Sequence, residues 1–272
     1  MSRSHILVRI AAVAFVCAYF VFLLAPIVVM VPASFTAHDI LSFPPDQLSM
    51  RWYSEVLNSR EWLDSAAMSL EIAIVSMVIA TVTGVLVGFV VYHYGPLGSG
   101  LRLLLLSPML VPHIVVATGL FQVLVPMRLL GDPWVLAIAQ AAMALPVTVI
   151  LSIAAFDAIE RSLWTAASTL GARWHQITIK VMLPIAATSI VASLILSFEN
   201  SWHEVTLAVF VGPAVQATLP SKMFSFLLQE STPALAAVST LLLVITLVCA
   251  AILGLLSIRR RRNEAQPTSE EP

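Results

Sequence analysis

A carboxylate with an indole and an imidazole close to it is the feature of this sequence best suited to chemistry. Glu199 lies in the apolar run SLILSFENSW, where an ionised carboxylate is costly unless it meets water or a partner. Trp202 and His203 follow at i+3 and i+4, so a helix would place the three on one face, and Glu204 follows near the outer end. Such a group could bind an organic cation by charge pairing and cation–π contact. The alternative is a contact between Glu199 and a partner subunit, with Trp202 in an interfacial aromatic belt.

Hydrolytic motifs are absent from the sequence. It contains no GxxxxGK[ST], no GxSxG and no HExxH. The six His are scattered, and Cys17 and Cys249 each lie in an apolar run without metal-ligand spacing. We therefore predict that the chain is not an enzyme and has no catalytic residue, metal site or cofactor of its own.

The composition indicates a membrane protein. Of the 272 residues, 59% are hydrophobic and 11% are charged, and the mean hydropathy is +0.95. Soluble domains carry about 25% charged residues, so the lipid bilayer is the expected surrounding of this chain. The net charge of −1 gives no indication of a nucleic-acid partner.

Six apolar runs reach the length of about 20 residues that a helix needs to cross about 30 Å of hydrocarbon. None shows the alternation of apolar and polar residues typical of barrel strands. The predicted fold is therefore all-α, a polytopic membrane protein with six transmembrane helices. The predicted spans are Val8–Val31, Ala66–Val91, Leu103–Val125, Trp134–Phe156, Leu183–Leu207 and Ala234–Ile258.

Positive charge predicts the orientation of these spans. If both termini are cytoplasmic, ten of the fourteen Lys and Arg residues lie on the inner side. This prediction depends mainly on the run Arg259–Arg262. We divide the chain into residues 1–65, the first helix and an outer segment, residues 66–258, a core of five transmembrane helices, and residues 259–272, a basic and disordered cytoplasmic tail.

The polar and basic segment TAASTLGARWHQITIKVMLP, within the predicted cytoplasmic loop 162–184, resembles the EAA loop of ATP-binding-cassette importer permeases. That loop has the pattern EAA, three residues, Gly, nine residues, Ile, one residue, Leu-Pro. Thr165 replaces the usual Glu, and Val181 replaces Ile. The matching residues are Ala166, Ala167, Gly171, Leu183 and Pro184.

The resemblance extends over nearly the whole chain. The segments SFPPDQLSMRWYSEVL, LSPMLVPHIVVATGL and SFENSWHEVTLAVFV are similar to the spermidine/putrescine (PotC-like) group of type I importer permeases, which have the MetI-like fold. The acidic pair often found near the end of the fifth span in that group is here His203 and Glu204.

The resemblance implies a multi-pass protein of the bacterial inner membrane that works in a complex. Its partners would be ATPase subunits that bind ATP and Mg, a second homologous permease and a periplasmic substrate-binding protein. A loop helix from about Ser162 to Arg173 would dock on the ATPase, and Gly171 would end or bend it. The coupling residues would be Thr165, Ala166, Ala167, Leu170, Gly171, Leu183 and Pro184, and the candidate substrate pathway would be Glu199, Trp202, His203 and Glu204.

Other transport functions remain open from the sequence. Ferric-ion, sulfate and other type I importers share parts of the same pattern. An ion-gradient transporter could use Glu199 and His203 as a proton relay, although six spans without a detectable repeat is short for such folds. A scaffold or channel subunit is a further alternative.

Overall fold

The computed structural model describes residues 3–213, 215–229 and 232–264, and these residues form a helical protein. The helices are α1 Arg3–Ala33, α2 Arg51–Asn58, α3 Arg60–Tyr94, α4 Ser99–Leu106, α5 His113–Met127, α6 Pro133–Asp157, α7 Arg161–Thr169, α8 Trp174–Ile177, α9 Leu183–Trp202, α10 Thr206–Val211, α11 Leu219–Gln229 and α12 Pro233–Glu264. Within this described part no β-strand occurs, and a single antiparallel bridge joins Thr36 to Leu48. The all-α prediction is confirmed.

Among the described residues, five helices are long and apolar enough to cross a membrane, or six if one bent pair counts as a span. The bent pair is α4 with α5, whose axes meet at 99°. The prediction of one continuous helix over Leu103–Val125 is therefore wrong. Pro108 lies in a short 3₁₀ turn and Pro112 caps the start of α5, and two prolines in five residues remove the hydrogen bonds that would continue the helix.

Two other predicted boundaries differ from the structure. The fifth span ends at Trp202, and α10 starts at Thr206 after a break, so Leu183–Leu207 is not one helix. At the other end of the chain, α12 continues through the basic run to Glu264, where we predicted a disordered tail. Residues 265–272 of that tail lie outside the described residues.

The chain divides into two compact units, one made of the residues before Asp64 together with Ser225–Ile245, and one made of Asp64–Phe224 with the chain from Thr246 onward. In the first unit, α2 packs against the end of α1. The Tyr53 hydroxyl lies 2.6 Å from Ser34 Oγ, and Trp52 Nε1 donates to the His38 carbonyl at 3.3 Å. Arg51 forms an ion pair with Asp39 at 3.0 Å.

In the second unit, α6 packs closely against α3 because two glycines remove side-chain bulk. A Cβ at Gly84 would lie 2.6 Å from Thr148 Oγ1, and one at Gly88 would lie 2.8 Å from the Ser152 backbone. The Thr148 hydroxyl donates to the Ala80 carbonyl of α3 at 2.9 Å. The GxxxG pair therefore lets the two helices approach within hydrogen-bond distance.

α6 also packs against α9, and small side chains line this contact as well. Ser193, Ser197 and Ser201 recur every four residues along α9 and are buried. Ser201 Oγ donates to Gln140 Oε1 of α6 at 2.5 Å. This contact fixes the end of α9, which positions the acidic residues that follow.

Candidate functional site

One face of the loop helix α7 packs against the rest of the second unit, to which α7 belongs. The Trp164 ring meets the ring of His93 edge-on, with centroids 4.2 Å apart. Ala167 and Ala172 pack against a buried cluster that includes Tyr92, Phe156 and Ile177. The cluster joins the ends of α3 and α6 to the start of α9, so a displacement of α7 would be passed directly to these helices.

The other face of α7 is exposed and carries apolar side chains among polar ones. Ala166 is exposed, Leu163 is 44% exposed, and Leu170 is 88% exposed. Thr165 is exposed as well, and its hydroxyl donates to the Arg161 carbonyl at 3.2 Å, so it contributes no charge to this face. Such a surface on a short helix that is not itself long enough to cross a membrane has the character of a protein docking site.

Gly171 ends α7 through its backbone conformation. Its φ is +82°, in the left-handed region that glycine adopts without steric cost. Gly171 N donates to the Ser168 carbonyl, and Ala172 N donates to the Ala167 carbonyl. The helix therefore stops at Thr169, earlier than the predicted Arg173. A Cβ on Gly171 would meet no atom of the described residues within 4 Å, which leaves its outer side open.

Leu183 and Pro184 begin α9 after an irregular turn. Residues Thr178–Met182 form a π-helical turn, and Leu183 N donates to the Thr178 carbonyl. Pro184 has no N–H and cannot bond the carbonyl four residues before it, so a widened turn at this point has a clear cause. Leu183 also packs against the cluster that holds α7. The coupling residues are thus joined to the first turn of α9.

Glu199 lies at the centre of a small polar group. Its Oε2 atom is 3.1 Å from His203 Nε2 and accepts from Thr246 Oγ1 of α12 at 3.2 Å. His203 Nε2 and Thr246 Oγ1 are themselves 2.8 Å apart. Glu199 Oε1 is buried and makes no hydrogen bond of ordinary geometry with a described residue, although the Cys249 thiol of α12 lies close enough to interact with the carboxylate. The expected proximity of Glu199 to His203 is confirmed, and the contact to a neighbouring helix is made within the chain.

Trp202 is not part of that polar group. Its ring stacks on Phe198 with centroids 5.5 Å apart and an interplanar angle of 16°, and the residue is only 5% exposed. Its Nε1 atom is buried without an acceptor. The Trp202 ring therefore packs on Phe198, and among the described residues no hydrogen bond joins the indole to Glu199 or His203.

Glu204 is buried between α5 and the start of α10. Its side chain is 3% exposed, and Oε1 lies 3.4 Å from His113 Nδ1. The same oxygen accepts from Leu207 N at 3.0 Å, which satisfies a free N–H in the first turn of α10. We expected Glu204 simply to follow the fifth span near its outer end. The structure places it in the break between α9 and α10, with its side chain bonded to the first turn of α10.

Three polar partners in this region were missed from the sequence: His113, Gln140 and Thr246. They are 91, 61 and 47 residues away from Glu204, Ser201 and Glu199, respectively. No local pattern marks them, since each depends on helix packing. With Glu204, Ser201 and Glu199 they form three polar contacts between segments distant in sequence.

Comparisons with known proteins agree with this architecture. The family described as "Binding-protein-dependent transport system inner membrane component" matches residues 80–262. The spermidine/putrescine transport system permease protein PotC of Haemophilus influenzae is 27% identical over 251 residues, 92% of this chain and 96% of that protein. PotC of Escherichia coli K12 is 29% identical over 239 residues, 86% and 89% of the two chains. The putrescine transport system permease protein PotI of the same strain is 24% identical over 235 residues, 82% of each chain.

Solved structures have the same fold. A bacterial ABC transporter involved in the import of the acidic polysaccharide alginate contains a chain with a TM-score of 0.68 and 18% identity, covering 93% of this chain and 98% of that one. The inward-facing MetNI methionine ABC transporter contains one with a TM-score of 0.53 and 17% identity, covering 74% and 93%.

Proposed function

This chain belongs to the family of binding-protein-dependent transport system inner membrane components, and on that premise we propose that it is the permease subunit of an ATP-binding-cassette importer for a polyamine such as spermidine or putrescine. The family is one of transport components of the inner membrane and not of enzymes. The chain is accordingly a multi-pass inner-membrane protein. ATP and Mg would be bound by its ATPase partner.

The observation that carries the coupling role is the exposed face of α7. Leu170 is 88% exposed, and the opposite face of the helix is packed on the ends of α3, α6 and α9. A partner that binds the exposed face could therefore move three membrane helices at once. Closure of an ATPase pair would pull on α7, and the permease would change between inward- and outward-facing states.

Orientation follows from the same proposal. An ATPase needs cytoplasmic ATP, so α7 and both termini would be cytoplasmic, in agreement with the excess of Lys and Arg on that side. A second homologous permease would complete the pathway, and a periplasmic binding protein would deliver the solute. The exposed apolar surfaces of the membrane helices leave room for lipid and for such a second permease.

The polyamine assignment rests on two independent lines of support. The names of the PotC and PotI relatives refer to spermidine and putrescine. In this chain, Glu199 supplies a carboxylate within the apolar helix α9, and Glu204 supplies a second one in the break before α10. Glu199 Oε1 makes no hydrogen bond of ordinary geometry with a described residue. A carboxylate oxygen in that state is suited to accept from a substrate ammonium group. Trp202 would shape the pathway through its packing on Phe198 and not by direct contact with the cation.

Co-purification tests this assignment most simply. The tagged chain is extracted in mild detergent, and the proteins that remain bound are identified and assayed for ATP hydrolysis. We expect a nucleotide-binding subunit and a second permease, with hydrolysis stimulated by a polyamine-loaded binding protein. Recovery of the chain alone, in an amount that transports a solute without any ATPase, would favour an ion-gradient transporter.

A further inference from the structure

The base of α7 contains a small cavity that the proposed function does not use. It has a volume of about 190 Å³ and is lined by Tyr92, His93, Arg161, Trp164 and Thr165. The Arg161 guanidinium lies over the Tyr92 ring, 5.8 Å from its centroid. The cavity therefore combines one fixed positive charge with an aromatic wall, directly beside the docking face.

Two polar atoms of this cavity wall have no hydrogen-bond partner among the described residues. Tyr92 is 6% exposed, and its hydroxyl makes no hydrogen bond. His93 Nδ1 is also buried and unbonded. Buried polar groups in folded proteins are nearly always hydrogen-bonded, and leaving such a group unpaired is unfavourable. Their position beside Arg161 is what a site for an oxygen-bearing anion would require.

Charge on the helix supports the same conclusion. Arg161 is the only charged residue of α7, and no ion pair involving Arg161 is found among the described residues. The preceding Glu160 accepts a hydrogen bond from the Ser162 hydroxyl at 3.0 Å. Thr165, which stands where the EAA pattern has its acid, has no charge, so this docking helix carries a cation without the usual acid. Guanidinium groups bind carboxylates with strong, charge-assisted hydrogen bonds.

We propose that this cavity receives an acidic side chain of the ATPase subunit, with its carboxylate bonded by Arg161 and by the Tyr92 hydroxyl. The inference rests on the proposed docking of α7. The exposed Leu163 and Leu170 on the same helix favour a protein as the occupant, because a free anion would not cover them. The ion pair would hold the ATPase at the point where α7 meets α3, and it would transmit force to α3 directly.

Titration of the detergent-solubilised permease with its ATPase tests the proposal. Arg161→Gln should weaken ATPase binding by roughly 10- to 100-fold, the range for a hydrogen bond to a charged group. Tyr92→Phe removes only the hydroxyl and should weaken it by roughly 2- to 10-fold. Arg173→Gln is the matched control, since it removes the same charge from the same loop outside the cavity, and binding should be unchanged. Arg161→Glu should release the ATPase, and one acid-to-lysine change on the ATPase surface should restore binding.

Three results would overturn the inference: wild-type affinity in Arg161→Gln, equal losses in the Arg161 and Arg173 variants, or an Arg161→Gln defect limited to binding of anionic lipid vesicles. Leu170→Asp separates this inference from the proposed function. If Leu170→Asp leaves the ATPase bound, docking through α7 is itself wrong. If Leu170→Asp releases the ATPase while Arg161→Gln does not, docking stands and only the carboxylate site is wrong.

Discussion

Gly171 offers a sharp test of the coupling helix. Its backbone conformation disfavours a side chain, whereas its surroundings leave space for one. Its φ of +82° means that most residues other than glycine at this position would lower the free energy of unfolding by about 1–2 kcal/mol. Within the chain, however, a side chain would meet nothing within 4 Å. Gly171→Glu should therefore leave the folded, inserted protein near its normal abundance. It should abolish transport, because the added charged side chain would clash with the bound ATPase.

Gly95 supplies the matched control. Its φ is +88°, and a Cβ at this position would meet no atom of the described residues within 4 Å. Gly95→Glu therefore introduces the same backbone strain outside α7. Gly171→Asn is a second control, since Asn tolerates the left-handed conformation and carries no charge.

Uptake and ATPase retention are measured for all three variants at equal membrane abundance. We expect loss in Gly171→Glu, near-normal behaviour in Gly95→Glu and an intermediate value in Gly171→Asn. Transport at the wild-type rate in Gly171→Glu, or equal losses in Gly171→Glu and Gly95→Glu, would refute the docking assignment.

Four further predictions follow from the helices and their orientation. Glu199→Gln keeps the side-chain shape and removes its charge, so polyamine uptake should fall by roughly 10- to 100-fold while the ATPase stays bound; normal uptake would make Glu199 a structural contact only. Trp202→Phe should retain most uptake, since the ring packs on Phe198, whereas a loss equal to that of Glu199→Gln would indicate direct cation contact. Gly84→Ala should lower the thermal unfolding midpoint of the purified chain, because its Cβ would lie 2.6 Å from Thr148. Gly119→Ala is the control and should leave the midpoint unchanged, since its Cβ would meet no described atom within 4 Å. Equal midpoints in the two variants would contradict the close packing of α3 and α6. Reporter fusions within α7 and after α12 should both report cytoplasm, and a fusion in α2 should report the outer side; any other combination contradicts the orientation.

The predictable part of this fold is the part that depends on local sequence. Apolar runs of sufficient length located the spans, and the Gly171 position predicted the end of α7 to within a few residues. The spacing of Glu199 and His203 predicted their contact, since i and i+4 meet on any helix. These features need no knowledge of which helices pack together.

The features that were missed depend on packing between distant segments. Thr246 reaches Glu199 only because α12 lies beside α9, and His113 reaches Glu204 across 91 residues of sequence. The 99° bend between α4 and α5 was also missed, because hydropathy records the apolar character of a run and not its direction.

ATP-dependent uptake of labelled spermidine or putrescine into proteoliposomes tests the central claim most directly. The vesicles contain this chain, its second permease and its ATPase, with ATP on the ATPase side and the binding protein on the other. We expect accumulation of the labelled polyamine that requires ATP hydrolysis, is inhibited by unlabelled polyamine and is unaffected by sulfate or ferric ion. Accumulation of an anion or a neutral solute in preference to polyamines, or polyamine uptake driven by an ion gradient without ATP, would contradict it.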